Sequence, residues 1–199
     1  IEPLLRAACG NFSNLAAFLA DPAFAPEQKL ALLRTLSEKD LRDVRPEVLR
    51  EALMSAAGGL PPDEFTMRYL LCPRIDTEPL ACWRQALADS FPEAQKQKFR
   101  EAPDALWRWI RETIRQASET EYRQLVTRPA GAMRIRCADL RSQRLLFAAL
   151  CRTFGIAARL DPHSGAAEYA SAGRFLSPEE GQTPCAALRL KKQPGQTWQ

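Results

Sequence analysis

The sequence predicts an α+β fold, mostly helical: a helical array over residues 1–125, then a central helix and a small antiparallel sheet over residues 126–199. Three observations predict it. Prolines followed by acids open one apolar-periodic run after another in the first part of the chain. Residues 137–161 stand out as an apolar helical stretch that stops at Gly155. Beyond it, short β-prone runs alternate with turn signals.

In chain order, Leu4, Leu5 and Ala8 begin a short helix that Gly10 ends, and Leu15, Phe18 and Leu19 share one side of the next. Pro26-Glu27-Gln28 opens a helix carrying Leu30, Leu32, Leu33 and Leu36. Ser37 to Asp40 reads as a turn with capping chemistry. Pro46-Glu47 repeats the proline-first pattern through Met54, and Gly58, Gly59, Pro61 and Pro62 break it. Asp63-Glu64 starts a helix through Leu71 that Pro73 terminates. Leu80, Trp83, Leu87 and Phe91 are spaced as the stripe of a helix over 78–91. Pro103-Asp104 opens another whose Leu106, Trp107, Ile110 and Ile114 face the core, with Trp109 off that stripe.

The character changes at residue 126. Residues 126–133 read as a loop punctuated by Arg128-Pro129 and Gly131. In the central helix, Leu145, Leu146, Ala149, Leu150 and Phe154 fall on one face, which Phe147 and Ala148 widen enough for a core position. Gly155 stops it, since glycine takes a left-handed cap at no steric cost. Strands are expected near 157–160, 168–170, 174–176 and 186–190, with turns at 161–165 and 171–173.

Composition narrows the functions. A net charge of +4, with cations scattered among acids, does not describe a nucleic-acid surface. No apolar run approaches the roughly 18 residues that cross a bilayer. The six cysteines are widely spaced, no CxxC pair occurs and there is a single histidine, so neither a metal site nor a cofactor is expected. Buried free thiols are the expectation for most of the cysteines.

Arg152-Thr-Phe-Gly155-Ile156-Ala157-Ala158-Arg159, at the end of a leucine-rich helix, resembles the close of the central helix and the first strand of the transglutaminase-like superfamily, a papain-like cysteine fold. Ala157 stands where that family has proline. Shorter likenesses flank it, from Leu71-Cys-Pro73 to Trp83-Arg84 and from Asp161-Pro-His-Ser-Gly165 to Phe175. The resemblance implies a partial transglutaminase-like core over 126–199, in a divergent bacterial branch. It also suggests a periplasmic or cell-surface setting and a polypeptide or cell-envelope ligand.

In that family a cysteine begins the central helix, where the macrodipole favours a thiolate, and histidine and aspartate come from later strands. Counted back from Gly155 at the family's spacing, the nucleophile's place falls on Leu140, with Cys137 three residues earlier. The resemblance therefore implies loss of the nucleophile, with Cys137 as the candidate if it is merely displaced. Asp139 and Ser142 resemble an Asp-x-x-Ser pattern of a non-standard bacterial branch in which serine could replace the thiol. The alternative is a helix-capping pair at i, i+3. His163, the one histidine, lies in a turn rather than on a later strand, and no aspartate follows Asp161.

Arg74, Glu78 and Arg84 form a further polar set, either a substrate-facing or domain-docking charge cluster or an inter-helix ion pair. Trp83, Trp107 and Trp109 could floor a groove or fill a core. Arg108, Arg111 and Arg115, alternating with Glu112 and Glu119, read as a solvated face. The expected function is that of a transglutaminase-like module of a larger bacterial protein, non-catalytic and serving in binding or as a scaffold. One alternative is an active cysteine acyltransferase or peptidase whose histidine and aspartate lie beyond residue 199. The other is a helical protein-interaction domain.

Overall fold

A computed structural model describes residues 1–55, 63–117 and 126–179. Their architecture is α+β, with helices dominating and one three-stranded antiparallel sheet near the end. The first five helices are α1 (Glu2–Ala7), α2 (Phe12–Leu19), α3 (Pro26–Arg34), α4 (Glu38–Asp43) and α5 (Pro46–Met54). Proline stands in the first turn of α1, α3 and α5, where its missing N–H costs no intrahelical bond. Ser37 to Asp40, expected as a turn, is the capping box that launches α4: Asp40 N–H donates to Ser37 Oγ and Ser37 N–H to the Asp40 carboxylate.

Next come α6 (Glu64–Thr66), capped by Asp63, and a π-helical turn at Met67–Leu71. Leu15, Phe18, Leu32, Leu33, Leu49, Met67 and Leu71 are fully buried together, and this first core runs from Ala8 to Cys72.

The second core begins at Trp83. It gathers α7 (Arg84–Asp89), α8 (Glu93–Glu101), α9 (Pro103–Thr113), α10 (Pro129–Ile135) and the central helix α11 (Leu140–Thr153). Two-residue strands β1 (Arg115–Gln116) and β2 (Cys137–Ala138) pair in parallel and tie the end of α9 to the approach to α11. The expected boundary at 125/126 therefore falls within the stretch of chain that builds this second core, to which both sides contribute.

Two expectations need correcting. The helix over 78–91 is confined to Arg84–Asp89. The Glu78 carboxylate accepts the N–H groups of Ile75 and Asp76 and folds the chain back on itself, while Glu51 of α5 accepts those of Trp83 and Gln85 and so sets where α7 begins. The loop over 126–133 is in fact largely α10: Arg128-Pro129, taken as punctuation, is a proline-first helix start. Helix α8 had no sequence prediction. Its lysines, glutamines and glutamates carry one buried anchor, Phe99, too thin a stripe to register as periodicity.

The central helix keeps the predicted stripe and stop but starts later: Cys137 and Ala138, read as part of the helical stretch, form β2, and α11 begins at Leu140. Leu145 to Cys151 are all fully buried, and Gly155 closes the helix at φ +86° with the Ile156 N–H reaching back to the Cys151 carbonyl. β3 (Ala158–Leu160), β4 (Ala167–Ser171) and β5 (Arg174–Leu176) follow as an antiparallel meander, Ala158 facing Tyr169 and Tyr169 facing Leu176. The β4–β5 hairpin turns on Ala172 and Gly173, both at positive φ. Trp109 finds its partners off the main stripe, edge-on to Phe91 at 4.9 Å, while Phe91 also meets Phe154. The strand expected at 186–190 and the break at 58–62 lie outside the described residues. No described helix is long and apolar enough to cross a membrane.

Candidate functional site

The start of α11 is where the resemblance would place chemistry. Asp139 is its N-cap, with Oδ1 accepting the Ser142 N–H at 3.0 Å. Ser142 is fully buried, and its Oγ accepts the N–H of Thr127 at 2.9 Å. Gln143, equally buried, donates to the Ile114 and Ala138 carbonyls and accepts from Arg111 at 2.7 Å. On the outer side Arg141 grips Asp76 at 2.7 Å, and Arg144 forms a two-pronged pair with Glu179 at 2.8 and 2.7 Å. Asp139 thus caps the helix from within, and the other four side chains tie α11 to other parts of the chain.

Cys137 precedes that turn. It is buried in β2, opposite Arg115 of β1. His163 is exposed in the β3–β4 turn, where the Asp161 carboxylate accepts its N–H and that of Ser164. Those two N–H groups and the Ser164 hydroxyl hold the Asp161 carboxyl below the usual carboxylate range. Asp139 and Ser142 are brought together. Among the described residues, no hydrogen bond joins Cys137, Ser142 and His163 to one another.

Arg74, Glu78 and Arg84 do not pair with each other; each serves the seam between the two cores. Arg74 Nε donates to Asp40 at 2.9 Å. Burial pushes the Asp40 carboxyl up, but the Arg74 and Ser37 hydrogen bonds outweigh it and hold the group low. Glu78 is 1% exposed, and burial raises its carboxyl above the usual range despite two backbone donors. Arg84, also buried, donates to the carbonyls of Leu70 at 2.6 Å and Leu71 at 2.9 Å and lies 4.5 Å over the Trp83 ring.

Arg152, which the sequence offered only as the first residue of the family-like motif, completes this seam. Its Nη1 donates to the Cys72 carbonyl at 2.8 Å and to that of Arg74 at 3.0 Å, and its Nε to that of Ala158 at 2.9 Å. The Leu70, Leu71 and Cys72 carbonyls are left over where the π-helical turn ends at Leu71, so the two guanidinium forks supply what the broken helix lacks. Burial, then the neighbouring Arg152 charge, pulls the Arg84 guanidinium down to about 9. Arg152 is lowered for the same first reason. A buried arginine inside an apolar stripe leaves no mark on sequence periodicity.

Beside this seam lies a cleft of about 550 Å³. Trp83 and Leu87 form one wall and α10 the other, with Met133 facing in and Arg128, Arg134 and Arg136 around it. Trp83 and Trp107 are core side chains, 3% and 7% exposed, so of the three tryptophans only the edge of Trp83 borders the opening. In the sequence Arg128 reads as loop punctuation, and Arg134 and Arg136 do not stand out; the proline-first helix signal at Pro129 would have grouped them. Among the described residues no group of histidine, cysteine, aspartate and glutamate could hold a metal ion. Comparison with protein-family models, with curated proteins and with solved structures finds no match for this chain.

Proposed function

We propose that this chain is a transglutaminase-like module of a larger bacterial protein, non-catalytic, with a binding or scaffold role. One observation carries the proposal: the polar side chains in the leading turn of α11 are engaged in holding the fold. Asp139 caps the helix, Ser142 anchors Thr127, and Gln143 bridges α9 and β2. A nucleophile needs the opposite arrangement, a side chain open to substrate with a base in reach. Two further features support the family likeness: a buried central helix closed by a left-handed glycine, and an antiparallel meander laid against it.

Thiol reactivity tests the reading. Iodoacetamide at neutral pH, followed cysteine by cysteine through peptide masses, is expected to modify exposed Cys9 first. Cys82 should follow, slowed because partial burial and the nearby Glu51 and Glu47 push its thiol up. Cys137 should be as slow as buried Cys72 and Cys151, the last of which burial holds far above the usual thiol range. Modification of Cys137 ahead of Cys9 would show an activated thiolate and sink the proposal.

A further inference from the structure

We infer that the cleft between α7 and α10 is the binding surface of the module, and that its ligand is an acidic polypeptide segment in extended conformation. The inference rests on the binding-module reading and names the partner's chemistry. Three observations bear on it.

The first is charge. Arg128, Arg134 and Arg136 line the cleft, and among the described residues no carboxylate lines it and none of the three forms an ion pair. By contrast, Arg50, Arg74, Arg141, Arg144 and Arg159 each have a carboxylate partner. Three guanidiniums without a carboxylate partner, of which Arg136 also lies 5.4 Å over the Trp109 ring, favour an anionic occupant, and their planar forks match carboxylates.

The second is length. A neighbouring cleft of about 450 Å³ shares Pro79, Ala81, Cys82 and Arg128 with the first. The two concavities thus flank residues 79–82 and Arg128, a longer surface than a single small anion needs.

The third is the backbone of that shared wall. Residues 79–82 belong to no helix or strand, and among the described residues neither the N–H groups of Leu80, Ala81 and Cys82 nor the carbonyls of 79–82 make a hydrogen bond. An irregular wall with free donors and acceptors can pair with the backbone of an extended chain, as an open sheet edge does. Nucleic acid fits less well. No exposed aromatic ring is available in the first cleft for base stacking.

The test uses the whole chain and a fluorescein-labelled peptide of alternating glutamate and leucine, with fluorescence anisotropy as the readout. A lysine–leucine counterpart, an oligothymidylate and inorganic phosphate serve as competitors. The acidic peptide is expected to bind, to weaken as salt rises, and to resist competition by the other three. The double variant R128E/R134E, which alters two exposed side chains, is expected to bind about tenfold or more weakly while its melting curve stays in place. Bound peptide should also protect Cys82 from iodoacetamide and leave Cys9 reactive, a comparison internal to each sample.

No binding of the acidic peptide at low salt would overturn the inference. So would unchanged affinity in a folded double variant, or displacement of the peptide by oligothymidylate at equal concentration. Such failures leave the non-catalytic reading to the Cys137 result, and a reactive Cys137 would overturn that reading without bearing on the groove.

Discussion

Arg152 is the side chain on which most of the seam depends. It is 3% exposed, and three carbonyls from the 72–74 segment and β3 converge on its guanidinium. Replacing it with methionine keeps much of the volume but strips all three acceptors of their donor. A loss of about 3 kcal/mol is expected in urea denaturation, since an unmet buried polar group costs more than an average hydrogen bond contributes. R152K should recover little, because an ammonium cannot reproduce the fork. Asp40 sets a pH dependence at the same seam. Its folded-state pKa is lowered, so its contribution is present above the unfolded value of 3.8 and is lost as pH falls through the folded value. The wild type should therefore lose more stability than D40N between neutral pH and about pH 3, with urea midpoints as the measure.

The central helix shows what a local pattern can and cannot reveal. Its apolar stripe, its stop at Gly155 and the strands after it follow from residue type and spacing alone. G155A should cost about 1 kcal/mol in thermal melts: an added Cβ would meet nothing within 4 Å, so the penalty is the left-handed backbone itself. Helix α8 is the opposite case. One aromatic, Phe99, holds a polar helix against Phe91 and Phe154, and F99A should cost about 3–5 kcal/mol. Such an anchor is visible only once its partners are placed. The shortened α7 failed for a related reason: the capping carboxylate, Glu51, lies 32 residues before Trp83. Asp139 and Ser142 could be read as a cap because both partners sit within one turn.

The molecule consists of two apolar cores, one ending at Cys72 and one starting at Trp83, joined across a seam of buried charge. Arg84 and Arg152 reach from the second core to carbonyls of the first, and Glu51 reaches the other way. Sequence could not show this division, because it is made by side chains whose partners are distant in the chain. The two cores should unfold together. In a W198F background the remaining Trp83, Trp107 and Trp109 all belong to the second core, so tryptophan fluorescence and far-ultraviolet dichroism should give coincident urea transitions, and R152M should separate them. The groove along residues 79–82 is part of this same joint, which places the proposed binding surface where the two cores meet. All of this rests on the leading turn of α11 being structural, and S142A tests that most directly. Removing the buried hydroxyl that anchors the half-buried Thr127 N–H is expected to lower stability by about 1–3 kcal/mol in urea denaturation. A catalytic serine held in place at the expense of stability would give the reverse; an S142A protein as stable as the wild type, or more so, would contradict the account.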